Sequence, residues 1–470
     1  RRVLFYQTHN IHFIMKKKIV VISLLVILVA IATYIVANRW NIWFGNPSEP
    51  SYQSQSAPYN ILLSFSPEGD DFRSLTWQCD TLAGTANVIY SIQNGGDTAT
   101  ITVQPHIYRS QGGASAFYRA DIHTPQAGTY DYRICMKADS SQWLHFTLRD
   151  TSHGNQSQFI YIGDIQDTIN GITGNILTDV VQQYPTTDFF ILGGDLIHRP
   201  LEIYWDEAFR GLAPIATQYP VAAVTGNHEY LKGMNASIEP RFFLHFPYFT
   251  NHNAYATFTN GDIQIFLIDS NAGIVNLFKQ SRWLENALKS SSARWKIVVL
   301  HHSPYSIRSP YNNLDIKFLF DSLFKRHNVD FVLAGHEHGY ARRTTRDLDN
   351  HKKTPIYTVS HCSPKQYPLY INHRTDRYGT GDRYFQLFTS HGDTMHMQTL
   401  TTDFTLYDDI VLIKSNSKTW LIDHSDTIPE RLELPASVAR KLKPGQIHEY
   451  NKSIEERAKR NHSGSSTPGL

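Results

Sequence analysis

The sequence predicts a small all-β sandwich followed by an α/β unit whose strands are covered on both faces. Three observations carry that expectation. Between residues 58 and 150, short alternating segments recur after Gly, Asn and Asp turns, the pattern of half-buried strands. After residue 155 the strand-length segments become continuously apolar and alternate with helix-compatible stretches, which requires cover on both faces. Aromatic residues make up 13% of the chain, with 26 Tyr and 25 Phe, a composition that favours β structure.

Taken in order, residues 1–14 precede Met15-Lys16-Lys17-Lys18, which reads as a start, so 1–14 are expected to be an upstream segment. Residues 19–37 then run without a charge, long enough to cross a bilayer, with the lysines setting the N-terminus inside. Residues 15–57 are therefore read as a membrane anchor, or as a signal peptide with Ala30-Ile31-Ala32 as its small-residue cleavage site, followed by a Pro/Ser/Gln linker over 45–58. Either reading places the rest of the chain outside the cytoplasm: periplasmic, cell-surface or secreted.

Seven strands are expected in the sandwich, at 60–65, 74–79, 87–92, 98–105, 117–122, 129–136 and 142–148. Cys79 shares the apolar face of its strand, whereas Cys135 lies off the face set by Tyr132 and Ile134. A bridge between the two is disfavoured for that reason. In the α/β unit, 155–414, apolar strands fall at 159–162, 189–192, 221–224, 263–268, 295–300 and 331–334. Helical segments lie at 172–183, 205–218, 280–290 and 316–326, and Gly261-Asp262 reads as a hairpin turn. Short strands return at 384–387, 395–400 and 410–414, and 415–470 is expected to be a polar, partly disordered tail. The balance of 44 basic and 42 acidic residues gives no electrostatic reason to expect a nucleic-acid partner. Oligomeric state is not legible.

The chemistry lies in five motifs: Gly163-Asp164, Gly194-Asp195, Gly226-Asn227-His228-Glu229, His301-His302 and Gly335-His336-Glu337-His338. Gly-Asp alone means little, because the chain contains seven such pairs. Asp164 and Asp195, however, each close an apolar strand, and Asn227, His302, His336 and His338 follow three more. Ligands bind at such carboxyl ends in open α/β sheets. Mixed oxygen and imidazole donors suit Fe, Zn or Mn. Two such ions, divalent or trivalent, stabilise both oxygens of a displacement at phosphorus and acidify a water between them.

The order GD–GD–GNHE–HH–GHxH resembles the calcineurin-like metallophosphoesterases, and purple acid phosphatases in particular. Gly339-Tyr340-Ala341-Arg342 after the last motif, Ser303-Pro304-Tyr305 after His302, and the preceding sandwich are similar to that family's pattern. The resemblance implies two mixed sheets flanked by helices, behind a fibronectin-type-III-like domain. It implies a first metal on Asp164, Asp195 and His338, and a second on Asp195, Asn227, His302 and His336. It implies a substrate contact and leaving-group proton from His228; His301, where the family varies, is an expected substrate contact. The family's GDxxY tyrosine is replaced by His198, and the His that the wider superfamily carries two residues after the first Asp is replaced by Gln166. The expectation is that His198 supplies the missing imidazole, that the protein is not purple, and that Asp167 orients a ligand. Leu231–Arg241 and 361–370, with Lys365, are candidate selectivity segments. The implied activity is hydrolysis of small phosphate monoesters. Alternatives are a phosphodiesterase of the same superfamily and an envelope binding module with a degraded metal site.

Overall fold

The structure, a computed structural model, describes residues 2–464 apart from 96, 138, 153, 234, 235, 345–354, 416 and 417. Two compact units are present, residues 1–48 with 231–237, and residues 49–230 with 238–470. In the first, helix α1 (Arg2–Phe44) contains Lys17–Trp40, whose mean hydropathy of 3.1 and 24-residue length suffice to cross a membrane.

In the second unit eight strands build two four-stranded antiparallel sheets: β1 (Tyr59–Phe65), β2 (Phe72–Cys79), β3 (Ala86–Ile92), β4 (Ala99–Val103), β5 (His106–Arg109), β6 (Ala114–His123), β7 (Gly128–Cys135) and β8 (Leu144–Leu148). Their orders are β1-β2-β6-β5 and β4-β3-β7-β8. The strand expected over 98–105 ends at Val103, and β5 is an additional one. Inward-facing Leu63, Trp77, Val88, Tyr132 and Phe146 fill the space between the sheets. Cys79 is buried there and Cys135 points away, so both stay free.

The α/β part begins with β9 (Gln156–Ile162), β10 (Phe189–Leu192) and β11 (Val221–Ala223), with helices α2 (Thr173–Gln183) and α3 (Glu202–Ala216) between them. Short strands β12 (Tyr230–Leu231) and β13 (Ser237–Ile238) and helix α4 (Pro240–His245) follow. A second sheet is built on β14 (Ala256–Asn260), β15 (Ile263–Ile268), β16 (Trp295–Leu300), β17 (Phe331–Ala334), β18 (Tyr340–Thr344), β19 (Ile356–Val359) and β20 (Arg377–Gly379), with helix α5 (Ile274–Ser290). The chain then returns to the first sheet as β21 (Tyr384–His391), β22 (Thr394–Thr401), β23 (Leu406–Ser415) and β24 (Lys418–Asp423).

Each sheet has seven strands, ordered β11-β10-β9-β21-β22-β23-β24 and β14-β15-β16-β17-β19-β18-β20. Within them β9, β10 and β11 are parallel, as are β15, β16, β17 and β19; the rest pair antiparallel, so both sheets are mixed. The hairpin at Gly261-Asp262 is present as β14–β15. One continuous core lies between the facing sheets and continues under α2 and α3, while α5 covers the far face of the second sheet. This is why the strands read as unbroken apolar runs: no face meets water.

Residues expected to form a loose polar tail are instead ordered. Strand β24 pairs with β23, and the helix Pro444–Gly464 is fastened by Arg457, which bonds Glu430 at 2.7 Å and the backbone carbonyls of Thr375 and Asp376. That docking adds hydrogen bonds to the packing of Tyr450 and Ile454 on the core of the second sheet, and the scarcity of apolar residues in a polar stretch concealed it.

Sandwich and α/β part share a buried charge cluster. Arg241 at the start of α4 contacts Glu49, Glu202 and Glu239 at 2.7–2.8 Å. The carboxylates also accept from Gln78 and Trp205, from Tyr108, and from the backbone N–H groups of Gly112 and Glu202. Beside it His245 is enclosed by the rings of Phe117, Trp205 and Phe209.

Candidate metal centre

The parallel strands of both sheets end at one place, and the ends of β9, β10 and β17 turn through an unusual backbone. Asp164, Asp195, His336 and His338 have positive φ of 45°, 51°, 68° and 49°, the left-handed region that non-glycine residues rarely occupy and that concentrates at functional sites. Two glycines let the turns close in. A Cβ on Gly226 would lie 2.1 Å from Asp195 Oδ1, and one on Gly335 would lie 2.4 Å from Asp164 Oδ2.

Two groups of donor atoms result. Asp164, Asp195 and His338 converge, all buried, as do His301, His302 and His336, with each group's ligand atoms within 4.8 Å of one another. Asp195 reaches across: its Oδ2 lies 3.3 Å from His301 Nε2, and its Oδ1 accepts the His228 N–H at 2.9 Å. His336 N–H in turn donates to Asp164 Oδ2 at 2.7 Å.

Four imidazoles are oriented through Nδ1, leaving Nε2 for other use. His301 faces the Gly193 carbonyl at 2.8 Å, His338 that of Lys365 at 3.0 Å, and His228 that of His198 at 2.6 Å. His302 Nδ1 meets Ser270 Oγ at 3.1 Å, and the same oxygen accepts the His302 N–H. Such partners set tautomer and ring direction in metal sites. Glu229 acts on the backbone instead. Its carboxylate accepts the N–H groups of Asp195, Leu196, Ile197 and Gly226 at 2.7–3.2 Å. It holds together the two turns that present Asp195 and Asn227.

Burial dominates the electrostatics. It drives His302 down to about 3, His336 to about 2 and His338 to about 4, so all three are neutral, the form that binds cations. Burial also raises Asp164, against the pull of His301. For Asp195 burial is outweighed by His301 and His228, which hold its carboxyl low. Burial opposes protonation of His301 too, but Asp195 and Asp164 lift it to about 10. Burial and Asp195 push Glu229 to about 7, offset in part by its N–H donors.

The residues fit a pair of cations on grounds independent of any motif. Asp164 Oδ1 and Asn227 Oδ1 are buried acceptors with no hydrogen-bond partner among the described residues. Leaving such atoms unmet in a protein interior is costly, and Asp164 belongs to the first donor group.

Three expected site residues, His198, His301 and Asp167, are placed otherwise. His198 belongs to neither group; its ring lies against His228 and Tyr204, with centroids 5.6 and 5.5 Å away. Gln166 takes the inner position, its Nε2 lying 3.4 Å from both Asp195 Oδ2 and His338 Nε2. His301, expected to contact substrate, is fully enclosed and joins the imidazole group. Asp167 does not orient a ligand; its carboxylate accepts from the N–H groups of Thr168, Ile172 and Thr173, the last two at the start of α2. Motif spacing and residue type give Glu229 and Gln166 no role at the site and do not single out Asp269 and Ser270. Asp269-Ser270 close the apolar strand β15, as the recognised motifs close theirs, and that was their signal.

Fold and site together resemble those of metallophosphoesterases. Residues 157–340 match the family model for calcineurin-like phosphoesterase. Among curated relatives, a probable purple acid phosphatase 20 of Arabidopsis thaliana is 29% identical over 36% of this chain and 44% of its own length. Purple acid phosphatase 22 of the same plant is 24% identical over 62% of this chain and 68% of its own. The chain thus spans less than half the length of the first of these. A solved purple acid phosphatase from yellow lupin (Lupinus luteus) seeds superposes with a TM-score of 0.65 at 15% identity, covering 76% of this chain and 74% of that one. These matches support a purple-acid-phosphatase-like metallophosphoesterase.

Proposed function

We propose that the protein is a two-metal phosphatase acting on phosphate monoesters. The observation that carries this reading is the pair of donor groups joined by Asp195, with two buried acceptors left open beside them. Asp164, Asp195 and His338 would hold one cation; Asp195, Asn227, His302 and His336, with His301 alongside, would hold the other. Bound there, Fe, Zn or Mn would neutralise phosphate charge and acidify water.

The chain's own groups do the rest. Asp195 lies between both donor groups, and the anchored imidazoles of His338 and of His301 and His302 are held in those two groups without reorganisation. His228 is part-exposed, with Nδ1 fixed on the His198 carbonyl and Nε2 3.8 Å from Asp195 Oδ2. It is placed to give a proton to the departing ester oxygen as a water oxygen replaces it on phosphorus. With His198 where the resemblance places tyrosine, position 198 supplies no tyrosinate, and the protein is expected to be colourless when iron-loaded. An anchored or exported location follows from the apolar helix within α1.

The test is element analysis of the purified chain together with turnover of an aryl phosphate monoester and an aryl diester. Two metals per chain and preference for the monoester are expected. Preference for the diester would replace the reading with a phosphodiesterase. A metal-free, inert protein would leave a binding module, and a visible iron-dependent absorption band would contradict the ligand assignment.

A further inference from the structure

Lys365 lies in the segment between β19 and β20, which is stitched to the site by its own backbone: Cys362 N–H donates to the Gly163 carbonyl, and the Lys365 carbonyl faces His338 Nδ1. Its half-buried side chain runs back to the donor groups. Nζ donates to Gln166 Oε1 at 3.3 Å, and the other end of that carboxamide lies 3.4 Å from Asp195 Oδ2 and from His338 Nε2. Among the described residues the ammonium meets no carboxylate at ion-pair distance. A cation partly withdrawn from water, with a neutral amide as its hydrogen-bond partner, keeps the capacity to take an anionic oxygen. It stands one side chain away from where a phosphoryl group would sit.

We propose that Lys365, steadied by Gln166, is a specificity-determining residue that takes a terminal phosphoryl oxygen and favours dianionic monoesters over diesters. The inference rests on the hydrolase reading above and adds the residue that selects the substrate class. A monoester presents three terminal oxygens and, near neutral pH, almost two negative charges. A diester presents two oxygens and one charge, and carries a carbon substituent in place of the third. With the water and two oxygens facing the donor groups, only the monoester has an anionic oxygen left for the ammonium. A charge-assisted hydrogen bond at that point is among the strong ones. The substitution of an amide at position 166 matters here, because Gln166 offers Lys365 an acceptor without neutralising it.

Lys365→Met tests this, since it removes the charge but leaves the backbone carbonyl that orients His338. Metal content, kcat/KM for p-nitrophenyl phosphate and for bis(p-nitrophenyl) phosphate, and inhibition by inorganic phosphate are measured on the metal-loaded full chain. The expected result is a monoester-to-diester ratio lowered roughly 10- to 100-fold, as loss of one charged hydrogen bond implies. Phosphate inhibition weakens in step, metal content is unchanged, and Lys365→Arg restores part of the ratio. An unchanged ratio, whether both rates fall together or neither moves, overturns the inference, as does loss of metal in Lys365→Met. A wild type inert to both esters sinks the hydrolase reading and this one with it. A working wild type whose variant keeps its ratio sinks this one alone.

Discussion

Two clusters of buried charge sit in the same unit, and they are built on opposite principles. Around Arg241 three carboxylates share one guanidinium, and none of the buried unpartnered side-chain atoms among the described residues belongs to Glu49, Glu202, Glu239 or Arg241. At the strand ends, Asp164 and Asn227 each keep an unmet oxygen, and four donor residues hold a left-handed backbone. The first cluster is closed within the chain and the second is open to something from outside. Buried charge alone therefore does not mark a site; unmet acceptors on a strained, anchored backbone do.

That contrast breaks most visibly at Asp195. Asp195→Asn is expected to lower turnover by roughly 10³-fold or more and to reduce bound metal, while thermal unfolding of the metal-free protein barely moves. A variant that loses its fold instead would show the open cluster to be structural. The converse change is Arg241→Met, which strands three buried carboxylates. Urea unfolding should record a loss of about 3–5 kcal/mol, with normal metal content in whatever remains folded. A stable, metal-poor variant would reverse the roles of the clusters.

His245, on the edge of the closed cluster, gives the contrast a pH signature. Burial, with the Arg241 charge, lowers it to about 3, and neither ring nitrogen has a hydrogen-bond partner among the described residues. An unfolded His titrates near 6.5, so the unfolded state takes up the proton first, and stability falls as pH drops from about 6.5 toward 3. In His245→Phe that decline should flatten by an amount on the order of a few kcal/mol, read as ΔG of unfolding between pH 7 and pH 4. An unchanged slope would assign the acid sensitivity to other groups. The smallest effect is expected at His198. Because His228 uses the His198 carbonyl and not its ring, His198→Ala should keep both metals and change turnover by only about 2-fold, the scale of roughly 0.5 kcal/mol. Loss of one metal would restore His198 as a ligand.

The central strands were legible because β9, β10, β16 and β17 are buried almost throughout on both faces, which leaves an uninterrupted apolar run, and because the polar motifs follow those runs directly. The choice between Gln166 and His198 was not legible. Both stand a few residues beyond a strand, and the turn's left-handed residues decide which side chain points inward. Spacing cannot express that. Glu229 lay inside a recognised motif, yet its partners are backbone N–H groups, which leave no trace in side-chain patterns. The Arg241 cluster was invisible for another reason: Glu49 falls in a stretch that composition assigns to a linker, 192 residues from its partner.

The insertion of Glu49 and the packing of Phe65 against Phe258 and Phe189 carry a consequence for how this chain can be divided. A fragment starting at the outset of the α/β part would contain every donor residue of the site, and would still be incomplete. It would leave Arg241 without one of its carboxylates and open an aromatic seam to water. The sandwich is in that sense not an accessory that related chains could trade freely; any lineage or engineer discarding it must rewrite residues 202, 239 and 241 at the same stroke.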